Sequence, residues 1–363
     1  MKLGGLTQEQ RLDRVVVRPD TGLKEGMQQM DRGGLGVLLV VDSELDGKLL
    51  GLLTDGDIRR AILQGRSLDG PCLAVANKSP VVGRSDAEPG EALALLDHAR
   101  SFPLDHLPLV DGRGSLVGLA LRADFSEPED LPLAALVMAG GFGTRLHPLT
   151  VDVPKPMLPV GDRPLIEDIV RHMGDAGIRS VSVSTHFQPE KIRAHLGDGE
   201  GFGVDITYLS EEQPLGTAGC LGLLDRPDGP LLVMNGDILT RVDYGAMLRF
   251  HRRHQALFTI GVRRYEYLLP YGVVDVQGPL VRGITEKPRL DFLVNAGIYL
   301  LEPQVLDFIR ASSHLDMDEL VTLLVQEQQT VVSFPIVEYW LDIGQFEHYE
   351  QAQSDMQDGR LAR

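Results

Sequence analysis

The chain has 363 residues, 43% of them hydrophobic and 24% charged, a length that suits two or three domains rather than one core. Its formal charge of −17 excludes duplex nucleic acid as a general partner, because that contact needs surplus Lys and Arg. A small anionic substrate remains open, since a few local cations suffice to hold it. Cys72 and Cys220 are too few for a disulfide framework or a zinc site, so a reducing cytoplasm is the expected setting. The N-terminal MKLGGLTQEQ has no apolar run after its Lys, and the longest apolar stretch, Leu131 to Ala139, contains Pro132. Neither a secretory signal nor a membrane span is expected.

The first elements in the chain form a repeat. LLVVDSELDGKLLGLLTDGDI (Leu38 to Ile58) is echoed by LPLVDGRGSLVGLALRADF (Leu107 to Phe125), with Gly51 matching Gly118 and Asp57 matching Asp124 at a spacing of 67 residues. Each copy reads as an apolar strand, a turn with Asp and Gly, a second apolar strand and a polar helix start. A helical pattern precedes each: Leu23, Met27 and Met30 in one, Leu93, Leu96 and Ala99 in the other. Units of roughly 60 residues bury little alone, so the two copies are expected to pack as one module.

This first third resembles a tandem CBS pair, whose pattern is a strand with Gly, then Thr or Ser, then Asp three residues later. Gly51, Thr54 and Asp57 fit it in full. The resemblance implies that Asp57 holds a nucleotide ribose and Thr54 lies near the phosphates. An adenine nucleotide is the first choice of ligand, a guanine nucleotide or the product second. The second copy keeps Gly118 and Asp124 but has Leu121 where the hydroxyl belongs. A helix cap is the purely structural role open to either Asp.

SEPEDLP (Ser126 to Pro132) combines two prolines with three acids and reads as the linker. Beyond it, apolar strands such as LAALVMAG and PLLVMNGD alternate with helical segments. In LIEDIVRHMGDAG, Leu165, Ile166, Ile169, Val170 and Met173 share one face. Alternation of this kind predicts an α/β, Rossmann-like doubly wound domain with a mainly parallel sheet, preceded by the α+β pair. Ligands are then expected at the C-terminal strand ends. The boundaries expected are 1–128 for the pair, 129–132 for the linker, 133–352 for the second domain and 353–363 for a polar tail.

The first strand of that domain runs into GGFGTRLHPLTVDVPKPMLPV (Gly140 to Val160). A P-loop is excluded, because Gly143 is followed by Thr144 and Arg145 rather than Lys and a hydroxyl. A dinucleotide fingerprint is excluded by Leu146 at the third Gly position. The loop, together with EEQPLGTAG, NGD, YGVV, EKP, NAGIY and WLDIG, closely resembles the sugar-1-phosphate nucleotidyltransferases. That family includes glucose-1-phosphate thymidylyltransferase and mannose-1-phosphate guanylyltransferase. The likeness covers Leu133 to Gln351, and His147, where the family often has Arg, is its one peripheral departure.

The resemblance implies that Gly140, Gly141, Gly143 and Thr144 wrap the nucleotide. Arg145 would bind its β and γ phosphates and Lys155 its α phosphate. Gln213, Gly216 and Thr217 would lie at the base, with Gly272, Glu286, Lys287 and Asn295 at the sugar and its phosphate. Asp237 and Asp342 would hold Mg²⁺. PLGTAG favours GTP, so the implied reaction joins GTP and a sugar 1-phosphate into an NDP-sugar with release of pyrophosphate. A pyrimidine-specific transferase of the same fold is the alternative, as is a non-catalytic nucleotide-sensing subunit. A homo-oligomer is expected.

Elementary chemistry agrees with this set of residues. A sugar 1-phosphate is already anionic near neutrality, its second pKa being about 6, so no general base is required. Repulsion between two charged phosphates must instead be overcome by positive charge and in-line alignment. Arg145 suits bidentate gripping and Lys155 supplies a point charge, stiffened between Pro154 and Pro156. Two carboxylates suit a hard cation such as Mg²⁺.

Overall fold

A computed structural model describes residues 6–42, 47–98, 104–125, 130–310, 313–358 and 361. The chain divides into two compact units. One comprises Met1–Leu131 with Val337–Tyr339 and Gln353–Arg363, the other Pro132–Ile336 with Trp340–Ala352. The linker stretch through Glu129 and the helix-face residue Ala99 lie outside the described residues.

In the first unit the repeat is structural as well as sequential. Val16–Val17 pairs in parallel with Val37–Asp42, which pairs antiparallel with Lys48–Thr54. Gly83–Arg84, His106–Val110 and Leu116–Leu121 repeat that arrangement. Both copies even shift register at the same place, between Val40 and Val41 and between Leu109 and Val110. The copies diverge just after their last strand. Asp55–Leu63 is an α-helix, whereas Arg122–Asp124 is a single 3-10 turn. The Thr54 hydroxyl accepts from Asp57 N at 3.3 Å, and Asp57 Oδ2 accepts from Thr54 N at 3.0 Å. That reciprocal cap satisfies two of the first turn's open N–H groups. Leu121 has no oxygen with which to do the same.

In the second unit seven strands form one sheet: β1 (Ala134–Met138), β2 (Ser180–Thr185), β3 (Asp205–Ser210), β4 (Leu231–Asn235), β5 (Phe258–Leu268), β6 (Arg289–Leu301) and β7 (Val331–Pro335). Their spatial order is β3-β2-β1-β4-β6-β5-β7, and only β6 runs against the others. The sheet is therefore mainly parallel, as the alternation of strands and helices predicts. β1 sits in the middle with its successors on both sides, and its Ala135, Leu136 and Val137 are buried. Such a fully apolar run is what a strand covered on both faces requires. The helix Leu165–Asp175 buries all five residues of its predicted stripe. Near the end of the chain Phe346–Gln357 is a helix, which takes in the first residues of the expected polar tail. Asp355 is buried and accepts from Tyr339 Oη at 2.9 Å. Among the described residues no helix is long and apolar enough to cross a membrane.

Candidate functional site

The chain order of the sheet reverses at β1, and the crevice beyond its C-terminal end is where an α/β sheet offers a ligand site. A cavity of about 430 Å³ lies there. Its lining brings together Gly140, Gly141, Gly143, Thr144, Arg145, Lys155, Gly216, Thr217 and Asp237 from four separate stretches of sequence. The loop after β1 supplies the first wall. Gly143 has φ +66°, and a Cβ there would stand 3.0 Å from that of Lys155 and 3.1 Å from Thr150 Cγ2. A side chain at this position would meet both backbone strain and a clash. The buried Thr150 hydroxyl donates to Gly143 O at 2.7 Å and fixes the turn.

Lys155 begins a 3-10 turn after Pro154 and is nearly buried, at 9% exposure. Its ammonium forms an ion pair with Asp237. Asp237 follows β4 and precedes Ile238–Thr240, which pairs antiparallel with Trp340–Asp342 so that Ile238 lies opposite Asp342. Ile343 N donates to Asp237 O at 3.0 Å and ties the strand that ends in Asp342 to the turn that carries Asp237.

Three buried oxygens in this corner, Oδ1 of Asn235, of Asp237 and of Asp342, have no hydrogen-bond partner among the described residues. Burial, and next the Asp237 charge, push the Asp342 carboxyl up from its ordinary value, against the pull of Lys155, His348 and Arg145. Leaving such oxygens unsatisfied costs about 1–3 kcal/mol each, more when charged. A divalent cation that takes carboxylate and carbonyl oxygens would satisfy all three, so the residues present fit one.

The wall opposite the glycine loop is built from two distant segments. Gly216 has φ +79°, and a Cβ there would lie 2.5 Å from Leu315 O and 2.8 Å from Asp316 Oδ1. Thr217 N donates to Asp316 Oδ1 at 3.1 Å, and Met317 N donates to Thr217 Oγ1 at 2.8 Å. Glu211 links the same loop to β2. Its Oε2 accepts from Leu215 N at 3.0 Å and its Oε1 accepts from the Ser184 hydroxyl. Glu211, Asn235 and Asp316 all border the cavity, and none was singled out from sequence. Asp316 does carry a readable signal, a helix start with Glu319 three residues on, whose carboxylate accepts from Asp316 N at 2.9 Å.

The remaining residues lie apart from the cavity lining. Gln213 is exposed, as are Gly272, Glu286 and Lys287. Gly272 does approach Glu286, since a Cβ on it would stand 2.9 Å from Glu286 Oε2. Asn295 donates to Tyr299 Oη at 2.8 Å and accepts from Gly297 N at 3.0 Å. In the first unit, Thr54 and Asp57 face one another at the cap described above. Asp124 differs from the expectation of a ribose ligand. Its side chain is 1% exposed and locked to the buried Arg11 guanidinium at 2.6 and 2.7 Å, while its Oδ2 accepts from Leu121 N at 2.9 Å. Its carboxylate is committed to that ion pair, because separating a buried pair leaves an uncompensated charge.

Comparison with known proteins agrees with this architecture. Residues 134–359 match the Nucleotidyl transferase family and residues 11–64 the CBS domain family. The first match covers more than half of the chain, which therefore belongs to the nucleotidyl transferase family. Among curated relatives it is similar to the mannose-1-phosphate guanyltransferase of Candida albicans, 35% identical over 224 residues, which are 59% of this chain and 61% of that protein. The mannose-1-phosphate guanyltransferase of Schizosaccharomyces pombe is 36% identical over 229 residues, 60% of this chain and 62% of that one. The chain thus spans about three fifths of the length of these relatives. A solved structure from Bacillus anthracis bearing the name glucose-1-phosphate thymidylyltransferase shares the fold, with a TM-score of 0.52 and 22% identity. That likeness covers 62% of this chain and 96% of the other.

Proposed function

We propose that this protein transfers a guanylyl group from GTP to a sugar 1-phosphate, with mannose 1-phosphate the first candidate, and that it works in the cytoplasm. The observation that carries the reading is the cavity itself, where Arg145 and Lys155 meet a glycine loop beside two carboxylates with unsatisfied oxygens. An oxygen of the sugar phosphate attacks the α-phosphorus of GTP, and the bond from that phosphorus to the pyrophosphate oxygen breaks. Arg145 would hold the departing phosphates by its planar fork, and Lys155 would offset charge at the reacting phosphorus. Asp237 and Asp342 would hold Mg²⁺, which supplies charge neutralisation of the phosphate oxygens. Backbone N–H groups of the glycine loop would face the phosphates, and Gly216 and Thr217 would border the base. Gln213 would complete the base contacts, and Gly272, Glu286, Lys287 and Asn295 those to the sugar phosphate. The test is a pyrophosphate-release screen of four NTPs against a panel of sugar 1-phosphates. GTP with mannose 1-phosphate should give the highest kcat/KM. A preference for UTP or dTTP would move the assignment to the pyrimidine enzymes, and release with no pair at all would leave a sensing subunit.

The first unit would regulate this reaction through a nucleotide at Thr54 and Asp57, an adenine nucleotide first. Support comes from the complete Gly, Thr and Asp pattern on a strand and helix with no part in the transfer chemistry. Coupling between two sites is typically about 1–3 kcal/mol, or roughly 5–150-fold in affinity. Calorimetry on the full chain should show nucleotide binding that Asp57→Ala removes, and the same nucleotide should change KM only in the unsubstituted protein. Equal kinetics with and without every nucleotide tried would reduce the unit to a scaffold.

A further inference from the structure

The loop after β1 carries one large side chain among its glycines, and the transfer chemistry described above leaves it without a role. Phe142 stands between Gly141 and Gly143, lines the cavity and is 48% exposed. No other aromatic residue lines that cavity, and among the described residues no other large exposed hydrophobic borders it. Single exposed apolar side chains are common on protein surfaces. Phe142 differs from those in being held. Its ring centroid lies 5.5 Å from that of His186, nearly perpendicular at 87°, and 5.6 Å from that of Phe187 at 55°. Both spacings fall where aromatic pairs attract. Two half-buried neighbours thus fix the ring while about half of the residue stays uncovered.

The sheet sets where these rings stand. His186 and Phe187 directly follow β2, which pairs with β1, so all three rings sit at C-terminal strand ends. His186 Nδ1 donates to Glu211 O at 2.8 Å. The Glu211 carboxylate accepts from Leu215 N at 3.0 Å, one residue before Gly216. From the other side, a Cβ on Gly140 would lie 3.1 Å from Glu211 Oε1 and 3.4 Å from His186 Cβ. The glycine loop therefore packs directly on the pair that ties Phe142's neighbour to the Gly216 segment.

We propose that Phe142 stacks on the base of the bound nucleotide and gives the site its preference for a purine. This rests on the reading above that Gly216 and Thr217 border the base. A nucleobase has two flat faces that hydrogen bonds do not satisfy, and every base can stack on an aromatic ring. Overlap grows with the size of the base, so a two-ring purine gains more than a one-ring pyrimidine. Guanine and adenine gain alike. The choice between those two falls to groups that meet the base edge, where their donors and acceptors differ.

Calorimetry on the full chain with Mg²⁺ and no sugar phosphate reads nucleotide binding apart from turnover. All proteins compared carry Asp57→Ala, so that the nucleotide site proposed in the first unit does not contribute. Phe142→Ala should weaken GTP and ATP by a common factor of about 5–150, the span of base stacking on an aromatic side chain. UTP should lose less. Inorganic triphosphate, which has no base, should bind both proteins equally. Phe142→Leu keeps an apolar side chain without a flat face and should resemble the alanine variant, whereas Phe142→Tyr should bind as the parent does. In Phe142→Trp, GTP should quench indole fluorescence beyond any change in the parent, whose single Trp is Trp340. Equal GTP affinity in Phe142→Ala and the parent overturns the proposal. So does a loss shared by inorganic triphosphate, which would make the ring a prop for the phosphate loop. Full retention in Phe142→Leu overturns stacking in favour of plain apolar cover. A parent that binds no nucleotide overturns this proposal and the transferase reading together. Failure of the transferase reading alone would appear as binding that responds to Phe142 with no pyrophosphate released from any substrate pair.

Discussion

Replacing Lys155 with alanine is expected to lower kcat by about 10²–10³ while moving KM for either substrate much less. The size follows from where the ammonium sits. It is nearly buried, in a short turn between two prolines, and paired with Asp237 at the edge of the cavity. A charge held in this way needs no reorganisation as the reaction proceeds, and its effect is not diluted by water. Ground-state binding would still be served by Arg145 and the glycine loop, which is why the loss should fall on kcat. Lys155→Arg should not rescue it. A planar fork differs from a point charge, and the longer guanidinium would not place its charge where the ammonium stands beside Asp237. Single-turnover kinetics with saturating GTP would read the chemical step directly. An unchanged rate there would remove Lys155 from the mechanism.

Local patterns carried much of the fold. The stripe on Leu165–Asp175 is a statement about helical period, and burial of all five residues follows from it. The apolar run of β1 was legible for the same reason, and the repeat of the first unit because each copy's strand–turn–strand pattern is local and recurs 67 residues on. What could not be read depends on contacts across long separations. Asp316 joins the cavity wall through contacts with a segment about 100 residues earlier, where Thr217 N donates to it and Leu315 exchanges backbone bonds with Leu215 and Ala218. Asp124 lies 113 residues from Arg11, and nothing near it in sequence announces that partner. A carboxylate in a strand–turn pattern reads as a ligand until the guanidinium that claims it is placed. The exposure of Tyr265, Tyr267, Leu290 and Phe292, in the outer halves of β5 and β6, was hidden for a different reason. Alternating strands there resemble half-buried ones, and period alone does not say whether the core reaches that far. Gly272, Glu286, Lys287 and Asn295 were named by motif, and their exposure apart from the cavity lining is a matter of how far β5 and β6 extend.

Asp237→Asn should leave the protein nearly inactive even at saturating metal, a loss greater than about 10²-fold. Changing a group that merely orients a metal ligand already costs about 10–100-fold, and Asp237 is proposed as a ligand itself. The amide would retain one oxygen but lose the charge, and it would strand the Lys155 ammonium beside a neutral partner. A readout independent of turnover is available. A cation that binds only the folded protein stabilises it by about 2.7 kcal/mol at one hundred times its Kd, so Mg²⁺ or Mn²⁺ should raise the parent's Tm. Asp237→Asn should lose most of that rise. Asp342→Asn should lose less activity, since the remaining carboxylate and the substrate phosphates can still hold the ion. EDTA should abolish turnover in the parent, and either cation should restore it. Full activity in the chelator, or a metal-dependent Tm rise as large in Asp237→Asn as in the parent, would show that these carboxylates serve the fold and not a cation.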